Sequence, residues 1–250
     1  MSLEEIAELI AQSRCTVALT GAGISTASGI RDFRGPQGIW RIIDPEKFEI
    51  SYFLDHPDEV WELFVRYFNL GSEVSPNPAH ISLAELERIG KLCAVITQNI
   101  DGLHQKAGSK NVIELHGNLE SAVCLSCRRT YSLRQVLSEY SGGAPRCKRC
   151  GGILKPDIIF FGEPLKSEVL EKAAEISRMS DVFLTIGTSL AVSPANQLPV
   201  LAKMRGAKLV IINEGATEED DLGDYIIRER VEIALPSIVE KVKEKLGIRE

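Results

Sequence analysis

Short unbroken apolar runs alternate with amphipathic stretches along most of the chain. The runs at 15–20 (CTVALT), 92–98 (LCAVITQ), 111–115 (NVIEL), 181–187 (DVFLTIG) and 208–213 (KLVIIN) are rich in β-branched residues and end in polar or glycine-bearing turns. They are predicted to be strands. None alternates apolar with polar residues, so both faces of each should be covered. Between them, 58–70, 79–89, 166–179, 194–206 and 235–247 carry apolar residues at helical spacing, the last ending at Gly247. Ser2 and Glu5 form a capping-box pair ahead of the stripe Leu3, Ile6, Leu9 and Ile10, which predicts a short N-terminal helix. Residues 29–56, with Gly35, Pro36, Gly38 and Pro45, keep no period and read as a long irregular loop, a feature that is usually functional. Strands alternating with helices predict an α/β fold built on a Rossmann-like, doubly wound parallel sheet.

The region from about 120 to 153 departs from this alternation and holds four of the six cysteines, around a small helix predicted at 132–140. Cys124 and Cys127 form one Cys-x-x-Cys pair, and Cys147 and Cys150 another, 19 residues apart. That spacing suits a four-thiolate zinc site, in which each turn aims two sulfurs at one ion. Four thiolates close the coordination sphere, so the zinc should hold structure and not activate water. Two disulfides or a redox pair are the alternatives, and disulfides fit poorly with an intracellular chain. The smaller zinc-binding domain is therefore read as inserted into the sheet. Cys15 and Cys93 lie in apolar runs and read as small buried hydrophobes.

Gly21-Ala22-Gly23 follows the first predicted strand. Glycine there would let backbone approach a pyrophosphate at a helix start. The third glycine of the dinucleotide fingerprint is absent, since position 26 is Thr26, so a tight turn without ligand is the competing reading. Gly187-Thr188-Ser189 and Asn213-Glu214 end two later strands in the same way, where a parallel sheet lines its ligand crevice. Asp32-Phe33-Arg34 lies in the long loop and could equally be a solvated ion pair. Gln98, Asn99, Ile100 and Asp101 follow the second strand, where Asn99 and Asp101 could also be turn caps. There are four histidines. A general base near neutral pH is most naturally histidine; His116, at the end of the third strand, is favoured by position, with His104 left open.

The formal net charge of −6 gives no bulk attraction to nucleic acid or to an anionic membrane. No apolar run approaches the roughly 18 residues that a membrane span needs. Glu4 and Glu5 stand where a signal peptide would be basic, and no long terminal extension carries a targeting segment, so a cytoplasmic location is expected.

The ordered set GAGIS, DFRG, TQNIDGLH, ELHG, the paired Cys-x-x-Cys, FFGE and GTSLAVSPA resembles the sirtuins, NAD-dependent protein lysine deacylases, over about residues 15 to 240. The resemblance implies a Rossmann-like NAD-binding domain made of 1–30, 78–118 and 155–250. It also implies a cofactor loop with the helical part of the small domain at 31–77, and a zinc module at 119–154. It implies that Gly21, Ala22, Gly23 and Ser25 meet the NAD phosphates and nearby ribose, that Asp32, Phe33 and Arg34 lie over nicotinamide, and that Gln98 and Asn99 position its ribose. Ile100 and Asp101 would hold the carboxamide; Gly187, Thr188 and Ser189 would meet the cofactor; Asn213 and Glu214 would hold the adenosine ribose. The catalytic set would be His116, as general base, with Asn99 and Asp101. An acetylated protein or peptide would pass between Phe161-Gly162-Glu163 and Leu190-Ala191-Val192, its acyl group in an apolar tunnel of Phe33, Ile100, Phe161 and Val192. The products would be nicotinamide, acetyl-ADP-ribose and free lysine.

Family members that remove acidic acyl groups carry Tyr and Arg three residues apart; Phe64 and Tyr67 are placed at those positions here, with Arg66 adjacent. Two other functions are weighed: mono-ADP-ribosyl transfer to protein, and a zinc-ribbon module for nucleic acid or chromatin proteins. The second would use Arg128, Arg129, Arg146, Lys148 and Arg149, whose plainer reading is a solvated surface.

Overall fold

The computed structural model describes residues 3–68 and 74–248. Ser2 of the predicted capping box, and residues 69–70 of the predicted helix 58–70, lie outside the described residues. Among them the strands are β1 (Thr16–Thr20), β2 (Leu92–Thr97), β3 (Val112–Glu114), β4 (Gly117–Cys124), β5 (Thr130–Ser132), β6 (Leu154–Ile158), β7 (Val182–Ile186), β8 (Lys208–Ile212) and β9 (Tyr225–Ile227). Six form one parallel sheet in the order β3-β2-β1-β7-β8-β9. The chain runs outward from β1 on one side and from β7 on the other, so the order reverses between β1 and β7. A crevice opens at such a reversal, beyond the carboxyl ends of the two strands.

Side chains alternate across a strand, and this explains the unbroken apolar runs. Ala18, Val95, Leu184 and Val210 face a core shared with the helices Leu3–Gln12, Pro78–Arg88 and Val231–Lys245. Val17, Leu19, Ala94, Ile96 and Phe183 face the other core, with helices Ser167–Met179 and Gln197–Met204. The five predicted strands are β3, β2, β1, β7 and β8 of this sheet, with β3 at one edge. The edge strand β9 has three half-buried residues and too little pattern to be read from sequence.

β5-β4-β6 form a separate antiparallel sheet. Its core joins Cys124, Leu133 and Leu154 to Phe53, Trp61 and Phe64, and the Trp61 indole donates to the Leu154 carbonyl at 2.8 Å. Residues 29–56 are more ordered than an irregular loop: they form turns at Ile39–Arg41 and Pro45–Phe48 and a helix at Ile50–Asp55, and they supply Ile39, Ile43, Phe48 and Phe53 to this core. The final helix begins four residues before the predicted 235, at Val231. Pro236, the second residue of the predicted stretch, lies inside the helix here.

The reading of Cys15 and Cys93 as separate apolar fillers is overturned. They form a disulfide, with Cα atoms 5.4 Å apart. Thr16 pairs with Leu92 across β1 and β2, which brings the residues beside them together although they are 78 positions apart in sequence. Neither is fully buried.

The turns after β1 and β7 touch through their main chains. Gly21 N–H donates to the Ile186 carbonyl at 3.1 Å, and Gly23 N–H to the Gly187 carbonyl at 2.8 Å. A Cβ on Gly187 would sit 2.4 Å from Ile24 N and 2.6 Å from the Gly23 carbonyl carbon, and its φ of +59° disfavours any other residue. Gly187→Ala is therefore expected to cost about 2–4 kcal/mol of stability, measured as a lower urea midpoint at unchanged slope. A midpoint within experimental error of the parent would contradict this packing.

Candidate active site

Beyond the carboxyl ends of β1, β2, β3, β7 and β8 lies a cleft of about 1440 Å³. Every residue of the expected catalytic and cofactor-binding sets lines it, as do Phe161, Gly162, Glu163 and Val192 of the substrate edges, whereas Leu190 and Ala191 do not. The sheet accounts for much of this: Gly21–Ser25 follow β1, Gln98–Asp101 follow β2, His116 follows β3, Gly187–Ser189 follow β7, and Asn213–Glu214 follow β8. Further walls come from the segments at 31–36 and 160–164 and from Trp40, Phe48, Phe64 and Phe68.

A directed hydrogen-bond network fixes the floor. Ser25 Oγ donates to Asp101 Oδ2 at 2.7 Å. Asn99 Nδ2 donates to Ser25 Oγ at 3.2 Å and to the Gly21 carbonyl at 3.1 Å. Asp101 Oδ1 accepts from Leu103 N–H at 2.9 Å, so Asp101 also caps its turn. Gln98 ties the strand ends together: its N–H donates to the Thr20 carbonyl, its Nε2 to Thr188 Oγ1 at 3.0 Å, and its carbonyl lies 2.9 Å from His116 Nδ1. A carbonyl only accepts, so His116 Nδ1 carries the proton and Nε2 keeps its lone pair. Asp32 forms no ion pair among the described residues; its Oδ1 accepts from Gly35 N–H at 3.1 Å and shapes the loop.

The four paired cysteines meet in one cluster, all sulfurs within 4.8 Å of one another. Cys124 and Cys150 sulfurs are 3.5 Å apart, and Cys127 and Cys147 sulfurs 3.6 Å. A tetrahedron with Zn–S bonds of about 2.3 Å requires sulfur–sulfur spacings near these values. The Tyr131 hydroxyl, 3.0 Å from Cys147 Sγ, pulls that thiol down to about 6. The donor set and its spacing fit one structural zinc, and no position is left for a water.

A sequence profile of the Sir2 family matches residues 21–194. The chain belongs to the Sir2 family. The NAD-dependent protein deacetylase 1 of Pyrobaculum aerophilum is 63% identical to it over 241 residues, covering 96% of this chain and 95% of that protein. A Sir2 structure with p53 peptide and NAD+ superposes with a TM-score of 0.90 at 41% identity, covering 100% of each chain. A histidine-to-alanine Sir2 variant with deacetylated p53 peptide and 3′-O-acetyl-ADP-ribose gives 0.92 at 41%, again over 100% of each. Among the described residues of this Sir2 chain, no helix is long and apolar enough to cross a membrane.

His80 escaped the sequence reading, which left it unremarked within the predicted helix 79–89. It is fully buried beneath the cleft. Its Nδ1 accepts from Asn77 N–H at 3.3 Å and its Nε2 faces Ser25 Oγ at 3.4 Å, so it extends the network under Asp101. The spacing Asn77-Pro78-Ala79-His80 was the available signal, since a capping box normally shows Glu or Gln in the fourth position. His104, also buried, lies edge-on to His80 and contacts Thr20 Oγ1 at 2.9 Å; it does not line the cleft. Trp40, Phe48 and Phe68 were missed too. They line the cleft with Phe33: Trp40 and Phe48 from a segment without periodicity, and Phe68 from the end of the helix Pro57–Tyr67. Trp40 lies 5.0 Å from the Phe33 ring.

Burial holds three histidines of this Sir2 chain neutral. His80 is lowered to about 4 by desolvation, against the charge of Asp101. His104 is lowered to about 3 by desolvation and then by His80. His116 is lowered by burial, against its bond to the Gln98 carbonyl. When unfolded, each takes up a proton near 6.5, so stability is fully present above pH 6.5 and declines as pH falls from there toward the folded values. Urea midpoints measured from pH 7 to pH 4 should fall on the acid side, less steeply in His104→Phe; a flat profile would contradict neutral burial. Cys147→Ala should take bound zinc from about one per chain to about zero and lower the melting temperature. Full stability of the parent under chelation would exclude a structural zinc.

Proposed function

We infer that this chain is an NAD-dependent protein lysine deacetylase that transfers acetyl to ADP-ribose. NAD supplies a glycosidic bond to nicotinamide, whose cleavage leaves ADP-ribose as the acetyl acceptor. The observation that carries the reading is His116: neutral, fixed through Nδ1, with Nε2 free as a proton acceptor on the wall of a cleft lined by the family's motif residues. In this reading the glycine turn after β1 takes the phosphates and the turns after β7 and β8 take the adenosine side. Gln98 and Asn99 position the nicotinamide ribose. Both N–H donors of Asn99 are spent on Gly21 and Ser25, so its contribution is a fixed carboxamide oxygen and a fixed backbone. Ile100 and Asp101 hold the carboxamide of nicotinamide. His116 Nε2 takes the proton of a ribose hydroxyl, so that its oxygen can bond the acetyl carbon; the bond from that carbon to the lysine nitrogen breaks, lysine leaves as the amine, and one water is consumed. The zinc holds the small domain and enters no step.

An extended peptide enters between Phe161–Glu163 and Leu190–Val192 by strand addition, a mode that reads backbone more than side chains. Leu190 supports this assignment: it is buried with φ +57°, a conformation rare for leucine and concentrated at functional sites. In this reading 1–30, 78–118 and 155–250 are the Rossmann-like part, 31–77 the cofactor loop and helical part of the small domain, and 119–154 its zinc module. The small domain's core reaches past the boundary at 155, since β6 lies in the small sheet and Ile158 and Phe160 pack with Phe53 and Trp61. Four free thiols suit a reducing compartment and a cytoplasmic location; the Cys15–Cys93 bond is the one feature that points the other way.

His116→Ala should lower peptide deacetylation by about 10²–10⁴-fold, while exchange of labelled nicotinamide into NAD falls far less, since the base acts after nicotinamide has left. Near-normal deacetylation by this variant would overturn the assignment.

Phe64 is buried at the cleft beside Tyr67, while Arg66 is exposed, stacks 5.3 Å over the Tyr67 ring and does not line the cleft. A carboxylate in the acyl pocket would have no guanidinium partner there. Acetyl-lysine peptide should therefore turn over at least about 10-fold faster than succinyl-lysine peptide; the reverse order would show that Arg66 enters the pocket.

A further inference from the structure

The substrate edge is held from below by a buried ion pair. Lys155, on β6, is 8% exposed. Its Nζ donates to the Ile158 carbonyl at 2.6 Å, to Glu163 Oε2 at 2.9 Å and to the Pro156 carbonyl at 3.3 Å, and it lies 4.8 Å from the centre of the Phe160 ring. The same Glu163 oxygen accepts from Phe160 N–H at 2.8 Å, and Glu163 N–H donates to the Phe160 carbonyl at 3.1 Å. Residues 160–163 thus close on themselves through Glu163, and Lys155 anchors the closure to the small sheet. Phe161 is tied from the other side: its N–H donates to the Phe48 carbonyl at 3.0 Å and its carbonyl accepts from Ile50 N–H at 2.9 Å. Gly162 is exposed, and its N–H and C=O have no hydrogen-bond partner among the described residues.

We propose that Lys155 is a positioning residue for the protein substrate: it presents the Gly162 backbone to an incoming peptide strand by fixing Glu163. Glu163 was read from sequence as touching substrate, but its carboxylate is turned inward to Lys155. A buried ion pair gives little net stability compared with apolar residues of the same volume. What it supplies here is one loop geometry, because Lys155 satisfies two β6 carbonyls and Glu163 at once. The inference rests on the reading of Phe161–Glu163 as the peptide edge.

The test is steady-state kinetics of the full chain with acetyl-lysine peptide and NAD, on Lys155→Met, on Lys155→Met/Glu163→Gln, and on Val192→Glu in the opposite edge. The double variant removes the stranded carboxylate and keeps an acceptor for Phe160 N–H, so it guards against simple misfolding. Both Lys155 variants should raise KM for the peptide about 10-fold with KM for NAD changed less than about twofold, and the double variant should regain the parent's melting temperature without regaining its peptide KM. A purely structural lysine would shift the melting temperature and spare the KM split. If Val192→Glu raises the peptide KM and the Lys155 variants do not, the groove stands and the role of Lys155 is wrong. If none of the three moves it, the groove reading itself fails, and the Lys155 inference with it.

Discussion

Two turns that touch through their main chains determine where everything at the cleft can sit. β1 and β7 are neighbours in the sheet, and the chain leaves them in opposite directions. Their turns would separate if either carried a side chain at the contact, but Gly23 and Gly187 allow an N–H···O bond of 2.8 Å between them. With that contact made, Ser25 is buried under the crevice and not turned to solvent. Gln98, from the neighbouring β2, then reaches Thr188 on the β7 turn. The glycines of the first motif therefore serve packing as much as they leave room for a phosphate. This is why the absence of a third glycine, replaced by Thr26, does little harm: a short 3-10 turn over Ala22–Ser28 takes the place of a long helix there.

The floor of the cleft is polar, buried and uncharged on its histidines. Each donor in it faces one acceptor. Asn77 N–H points at His80, His80 Nε2 at Ser25, and Ser25 at Asp101. Such a chain has one arrangement of protons, since a buried donor without a partner costs about 1–3 kcal/mol. His116 differs from His80 and His104 in two respects that decide its chemistry. One of its nitrogens is satisfied by a backbone carbonyl and it lies on the cleft wall, whereas His104 is sealed beneath it. His104 was the rival base on sequence grounds; its burial and its bond to Thr20 remove it.

The sheet was legible because strands covered on both faces are continuously apolar, and their polar carboxyl ends are then brought together by the parallel order. Five turns distant in sequence became one site for that reason alone. The four cysteines were legible from spacing, since Cys-x-x-Cys turns carry their geometry locally. What was not legible depends on contacts across the fold. β6 holds Pro156 and Lys155, which argue against a strand until the carbonyls that meet Lys155 are seen. Cys15 and Cys93 give no spacing signal, because their pairing follows from the register of β1 on β2. His80 looks like an ordinary helix-start residue until Ser25 is placed above it, and Trp40 and Phe48 reach the cleft only through the core of the small domain.

The central claim is that this cleft couples the loss of nicotinamide to acetyl transfer from lysine. Product analysis after incubation of the chain with NAD and an acetyl-lysine peptide tests it most directly. The account predicts nicotinamide, acetyl-ADP-ribose and deacetylated peptide in equal amounts, with no product formed when NAD is withheld. Release of free acetate without NAD, or ADP-ribose found attached to the peptide in place of acetyl-ADP-ribose, would contradict it.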